Sequence, residues 1–125
     1  MRLAITGAKG QLGRTLREAF PQEELLLIDL PEHDVSERSV VPLICDWQPD
    51  LVIHAAAMTD VDGCEKEPET AFKVNALGTR NVALACQRCG APTLYVSTDY
   101  VFDGTKDEPY LEYDEPNPTS VYARS

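Results

Sequence analysis

Gly7, Gly10 and Gly13 stand in the run Gly7-Ala8-Lys9-Gly10-Gln11-Leu12-Gly13, directly after the apolar Leu3-Ala4-Ile5 and before a helix-period pattern. Glycines so placed let backbone N–H groups meet phosphate oxygens at a helix start, and the third lets that helix pack close on the strand. Between a buried strand and a helix, the pattern implies dinucleotide binding rather than an ordinary turn. Asp29 closes a second apolar run, where a carboxylate can accept hydrogen bonds from an adenosine ribose and repel a 2′-phosphate. That tilts the choice toward NADH, although an Asp ahead of Pro31 is also a common turn former and nearby Arg14 could accept a phosphate. Ala55-Ala56-Ala57, after a third apolar run, marks a place where backbone must approach something closely, most naturally a ligand.

Ser97-Thr98-Asp99 puts two hydroxyls and a carboxylate at the end of a fourth apolar run, the edge where open α/β sheets bind ligands. Tyr122 lies in Pro118-Thr119-Ser120-Val121-Tyr122-Ala123-Arg124-Ser125. A phenol is a poor acid–base group near neutrality unless a cation stabilises its phenolate. A lysine one helical turn later would serve, and that position falls just past Ser125.

The elements that must carry these residues alternate. Strands are expected at Arg2 to Thr6, Glu24 to Ile28, Asp50 to His54 and Thr93 to Ser97, each read from a continuous apolar run suited to burial on both faces of a parallel sheet. Helices are expected from Gln11 to about Phe20, from an N-cap at Ser36 to about Trp47, and as one long helix from Pro68 to about Cys89 closed by Gly90. Asp99 to Pro118 reads as an irregular polar loop before a last helical turn at Val121 to Ser125. Right-handed crossovers then give a Rossmann-like, doubly wound parallel sheet in three α/β/α layers, one domain over residues 1–125. The length leaves no room for a separate substrate domain.

At 43% hydrophobic and 26% charged, the composition is that of a soluble globular chain, and no apolar run is long enough for a membrane span. The N-terminus reads as a strand rather than a signal peptide, so a cytoplasmic location is expected. A net charge of −10 argues against nucleic acid or anionic lipid as a partner. Of four cysteines only Cys86 and Cys89 are suggestively spaced; they fall inside a helical pattern without a second ligand pair, so reduced thiols and no metal site are expected.

Taken together, these motifs resemble the short-chain dehydrogenase/reductase superfamily, and within it the dTDP-4-dehydrorhamnose reductases. Gly7 to Gly13 with Gln11-Leu12, Ala55 to Thr59 followed by Val61-Asp62, Asn75-Ala76-Leu77-Gly78-Thr79, and Ser97-Thr98-Asp99-Tyr100-Val101-Phe102 match in the same order. The resemblance implies hydride transfer from NADH or NADPH to the C4 ketone of dTDP-4-dehydro-L-rhamnose. It makes Tyr122 the proton donor, Thr98 the partner of the reacting oxygen and Asp99 a sugar ligand. Gly10, Gln11 and Leu12 would line the pyrophosphate, Asp29 the ribose, Asp34 and Val35 the adenine, and Ala55 to Ala57 the nicotinamide half. A homodimer and a Mg2+ ion are left open. The chain departs from the family in length, in the absent lysine, and at His54, where the family often carries Asn and where a strand-end His is more often structural. The 125 residues alone are therefore expected to bind a dinucleotide weakly and not to turn over. Two other readings share the fold: a non-catalytic subunit resembling the regulatory subunit of methionine adenosyltransferase, and a sugar-nucleotide epimerase or dehydratase. Leu12 and Ser97-Thr98 argue against the latter, which usually carries an aromatic and a Ser-Ser pattern there.

Overall fold

All four strands run parallel in the order β2-β1-β3-β4 in the computed structural model, which describes residues 1–125. They are β1 (Arg2–Thr6), β2 (Glu24–Ile28), β3 (Leu51–His54) and β4 (Thr93–Tyr95), and between them lie α1 (Gln11–Ala19), α2 (Val40–Trp47), α3 (Val61–Lys66), α4 (Pro68–Phe72) and α5 (Gly78–Cys89), with α6 (Val121–Arg124) last. Side chains of a strand alternate between faces, and β1 divides accordingly. Leu3 and Ile5 pack with Ile53, Leu16 and Phe20 under α1. Ala4 faces the other way, into a larger cluster with Val52, Ile28, Val40, Val41, Ile44, Val82 and Ala85 beneath α2 and α5. Helices on both faces bury the sheet twice, which is why β1 is apolar at successive positions.

The strand bounds read from the sequence hold for β1 and β2 and shorten by one residue at the start of β3 and two at the end of β4. α2 starts later than Ser36. The Ser36 N–H bonds to Asp34 Oδ1 at 2.8 Å, and tight turns link Glu37 to Asp34 and Val40 to Glu37, so the chain reaches helix only after Ser39. The long helix runs from Pro68 to Cys89 as expected, with Lys73–Leu77 widened into a π-helical turn between α4 and α5. Two short elements carried no periodic signal. α3 is held by Asp60, whose Oδ1 accepts the Gly63 N–H at 3.1 Å, and Asp99–Val101 is a 3-10 turn capped by Thr98. The four cysteines are free thiols, with Cys86 and Cys89 both on α5 as read. No helix is long and apolar enough to cross a membrane.

Ile44 is fully buried where α2 meets α5 and the sheet. Ile44→Ala is expected to cost about 2–5 kcal/mol, cavity included. Chemical denaturation of the two proteins should show the lower midpoint at unchanged slope.

Candidate functional site

A parallel sheet sends every strand out at one edge, and the residues singled out above leave from it. β1 exits into Gly7, β2 into Asp29, β3 into Ala55 and β4 toward Thr98. His54 pairs in register with Thr6 and with Tyr95, and the Val96 N–H continues the ladder to the His54 carbonyl at 3.1 Å. The Ala55 segment and the Thr98 segment therefore run out side by side.

The glycine loop is fixed by close backbone contacts. Gly7 has φ +69°, and a Cβ there would lie 2.8 Å from both the Ala55 carbonyl oxygen and the Ala56 nitrogen. A Cβ on Gly13 would lie 2.2 Å from the Gly7 carbonyl oxygen, so Gly13 acts by letting α1 seat on the loop. The first backbone bond into α1 runs from the Arg14 N–H to the Gly10 carbonyl, which leaves the N–H groups of Gln11, Leu12 and Gly13 at the helix start without backbone partners. Such a helix start favours an anion.

Asp29 has a second role beyond the one its position suggests. Its Oδ2 accepts the Lys9 N–H at 2.6 Å and its Oδ1 the Leu30 N–H at 2.7 Å, so it ties the glycine loop to the turn after β2. Each oxygen keeps a lone pair for a ribose hydroxyl. A cleft of about 370 Å³ brings together Gly7, Gly10, Asp29, Asp34, Val35, Ala55, Ala56 and Ala57. Gln11 and Leu12 stand exposed at the start of α1, outside that lining, and Gly13 is buried below it. Lys9, His33 and Val74 also line the cleft, and sequence reasoning did not name them for it. The lone charged residue inside the glycine loop was the available signal for Lys9. Val35 is placed from behind: Asn81 Nδ2 donates to the carbonyls of Val35 and Ser36 at 3.0 and 3.1 Å, and Gly78 leaves room for the Val35 side chain.

Thr6, at the end of β1, organises the floor. Its Oγ1 accepts the N–H groups of Ala55 and Ala56, both at 3.2 Å, and lies 2.6 Å from His54 Nδ1. With two donors already on the oxygen, its own proton goes to Nδ1, so Nε2 carries the imidazole proton and donates to Thr79 Oγ1 at 2.9 Å. Burial drives the His54 pKa down from 6.5 to about 4, and the ring is neutral near pH 7. The histidine is a structural spacer between sheet and helix.

Asn75, buried in the π turn, joins the floor to the last helix. Its Oδ1 accepts the Met58 N–H at 2.7 Å while Nδ2 donates to the Met58 carbonyl at 3.1 Å and to Ser125 Oγ at 2.8 Å. α6 also meets α3 through the Val121 N–H, which donates to Glu65 Oε1 at 2.7 Å. Tyr122 meets Tyr100 edge to face, with ring centroids 5.6 Å apart, so the tyrosine helix sits against the turn that Thr98 caps. Thr98 Oγ1 accepts the Tyr100 N–H at 3.2 Å and makes only a long contact, 3.4 Å, to Asp99 Oδ1. Asp99 lines a second cleft, with Tyr100, Phe102, Tyr110 and Thr119. The loop beyond is built on Asp103, which accepts from Asn117, Thr105 and Tyr110; these bonds hold its carboxyl well below the usual carboxylate range.

Over its full length, residues 1–125, the chain matches the family model described as the RmlD substrate binding domain. The chain belongs to the RmlD family. It is 46% identical to the dTDP-4-dehydrorhamnose reductase of Sinorhizobium fredii, over all of this chain and 43% of that protein. It is 45% identical to a probable low-salt glycan biosynthesis reductase of Haloferax volcanii, over 97% of this chain and 45% of that one. Among solved structures, the dTDP-4-dehydrorhamnose reductase of Bacillus anthracis in complex with NADP superposes with a TM-score of 0.93 at 41% identity, covering 98% of this chain and 45% of that one. This RmlD chain thus spans less than half the length of the relatives it matches.

The depressed His54 pKa makes a pH prediction for this RmlD chain. Unfolded, the ring takes up a proton below about 6.5; folded, it resists until about 4, so stability falls as pH drops through that window. The loss attributable to His54 approaches about 3 kcal/mol at the acid end, since each pKa unit is worth about 1.4 kcal/mol. Urea unfolding of His54→Asn against pH should show a flatter acid limb than the unaltered protein.

Proposed function

We propose that the whole protein reduces the C4 ketone of dTDP-4-dehydro-L-rhamnose to dTDP-L-rhamnose with NADH or NADPH. The observation that carries this reading is the meeting, at one sheet edge, of a glycine loop that excludes side chains, a carboxylate at Asp29, a small-residue floor at Ala55 to Ala57, and the Thr98 and Tyr122 elements. The cradle suits a dinucleotide: at Gly7 the loop lies against the Ala55-Ala56 backbone where a Cβ would collide, and the N–H groups at the start of α1 have no backbone partners. When bound, the dinucleotide supplies the hydride.

The chain's own residues do the rest. Gly10, Gln11 and Leu12 hold the pyrophosphate, Asp29 the adenosine ribose, and Asp34 with Val35 flanks the adenine. Gly7, Gly13 and the Ala55-Ala56-Ala57 floor set how closely backbone approaches the nicotinamide half. Thr98 turns its hydroxyl from the long Asp99 contact to the reacting carbonyl oxygen, and Tyr122 delivers the proton that this oxygen takes as the hydride reaches carbon. Asp99 holds the sugar. The tilt toward NADH rests on Asp29, whose oxygens are already half occupied by Lys9 and Leu30. We place the reaction in the cytoplasm, where reduced dinucleotides and nucleotide sugars are both present.

Tyr122→Phe in the whole protein is expected to lower kcat about 10²–10⁴-fold with dinucleotide affinity retained. Steady-state oxidation of the reduced dinucleotide by the keto sugar, beside a binding titration, tests this, and full turnover by Tyr122→Phe would remove the tyrosine from the mechanism. The 125 residues by themselves are expected to bind the dinucleotide weakly without turnover.

A further inference from the structure

Tyr122 rides on a helix of four residues, none of them buried. A single turn gains too few hydrogen bonds to hold itself together, so contacts with the rest of the chain must place it. Its own cap closes the turn: Ser120 Oγ accepts the Ala123 N–H at 3.1 Å and the Ser120 carbonyl accepts the Arg124 N–H at 3.1 Å. Those bonds do not set where the turn sits. The Tyr122 ring rests edge to face on Tyr100. At the far end of the turn, Ser125 Oγ donates to the Tyr122 carbonyl at 2.9 Å and takes a bond from Asn75 Nδ2 at 2.8 Å, which anchors that end to the π turn. At the near end the Val121 N–H donates to Glu65 Oε1 at 2.7 Å, across 56 residues of sequence.

We propose that Glu65 is a positioning residue for Tyr122: its carboxylate holds the first N–H of α6 and so fixes where the phenol stands relative to the alanine floor. The assignment rests on the reductase reading above. Glu65 can do this because its own backbone is fixed. Asp60 caps α3, and Cys64, the neighbour of Glu65, is fully buried with Sγ 3.6 Å from the Met58 carbonyl oxygen. Asn75 grips the same Met58 through its N–H and its carbonyl. Both ends of the tyrosine turn are therefore tied to the segment that continues from Ala57, one through α3 and one through the π turn. Hydride and proton reach one carbonyl group from these two parts of the chain, and a misplacement of about 1 Å between reacting groups costs up to about 10²-fold in rate. A carboxylate on a backbone N–H is a charge-assisted bond, short and strong enough to resist that displacement. Glu65 acts through the tyrosine and does not meet the substrate.

Steady-state kinetics of the whole protein, with the keto sugar and the reduced dinucleotide, tests the assignment. Glu65→Ala is expected to lower kcat about tenfold while the keto-sugar KM and the dinucleotide Kd stay within about twofold. Glu65→Gln keeps an acceptor oxygen for the Val121 N–H and is expected to hold kcat within about threefold of the unaltered enzyme. On a Tyr122→Phe background no phenol is left to place, and Glu65→Ala is expected to change the residual kcat by less than about twofold. A loss on that background as large as on the unaltered one would show Glu65 supporting the fold or another group. A kcat that Glu65→Ala leaves unchanged would show that the Val121 N–H needs no such partner. Either outcome overturns the assignment. If the unaltered whole protein fails to reduce the keto sugar, the reductase reading falls and this assignment with it, whereas an active enzyme indifferent to Glu65 removes this assignment alone.

Discussion

The chain leaves β3 with two backbone N–H groups, on Ala55 and Ala56, that have passed the end of the ladder, and the hydroxyl of Thr6 takes both. That arrangement fixes how far apart the exits of β1 and β3 can be. It also brings the Ala55 carbonyl and the Ala56 nitrogen so near Gly7 that no side chain fits there. Replacing either bond with water would let the two loops separate and would open the space the glycine keeps closed. His54 completes the arrangement by accepting the remaining proton of Thr6 and passing a bond on to Thr79 in α5. One face of the sheet is thereby joined to the helix layer through polar contacts inside an apolar core. Such a network is stable only because every member is satisfied.

The elements built on continuous apolar runs were legible, because burial on two faces demands those runs and glycine or proline bounds them. Leu25 to Ile28 and Leu3 to Ile5 left little choice. The long helix was legible but the π turn inside it was not: Lys73 to Leu77 has ordinary helical composition, and the π turn coincides with the place where Asn75 reaches Met58 and Ser125, contacts distant in sequence. The start of α2 was misread for a related reason. Ser36 and Ser39 are equally good caps by type, and only the Asp34 bond to the Ser36 N–H holds the first of them in a turn.

The site divides in the same way. Gly7, Gly13 and the alanine run could be read because they answer steric demands that allow few residue types. Asp29 could be placed, yet its double tie to Lys9 and Leu30 depends on two loops meeting. Lys9, His33 and Asn75 are common residue types at unremarkable spacings, and their roles exist only once β1, β2 and the π turn share an edge of the sheet. Lys9 and His33 do not touch the core, and a pattern built on burial passes over them.

His54 is the sole titratable side chain in the Thr6 network beneath the alanine floor, and burial keeps it uncharged down to about pH 4. Acidification from neutrality to mild acid therefore leaves the charge of that network unchanged, even while it erodes the margin of folding. Kinetic and thermodynamic acid responses become separable: a bend in an activity profile near neutrality does not come from the ring below the floor, whereas a shift of the unfolding midpoint with acid belongs in part to it. An Asn in place of that histidine would supply polar contacts with no proton to take up, so the histidine marks a chain whose acid tolerance, rather than its chemistry, was left adjustable.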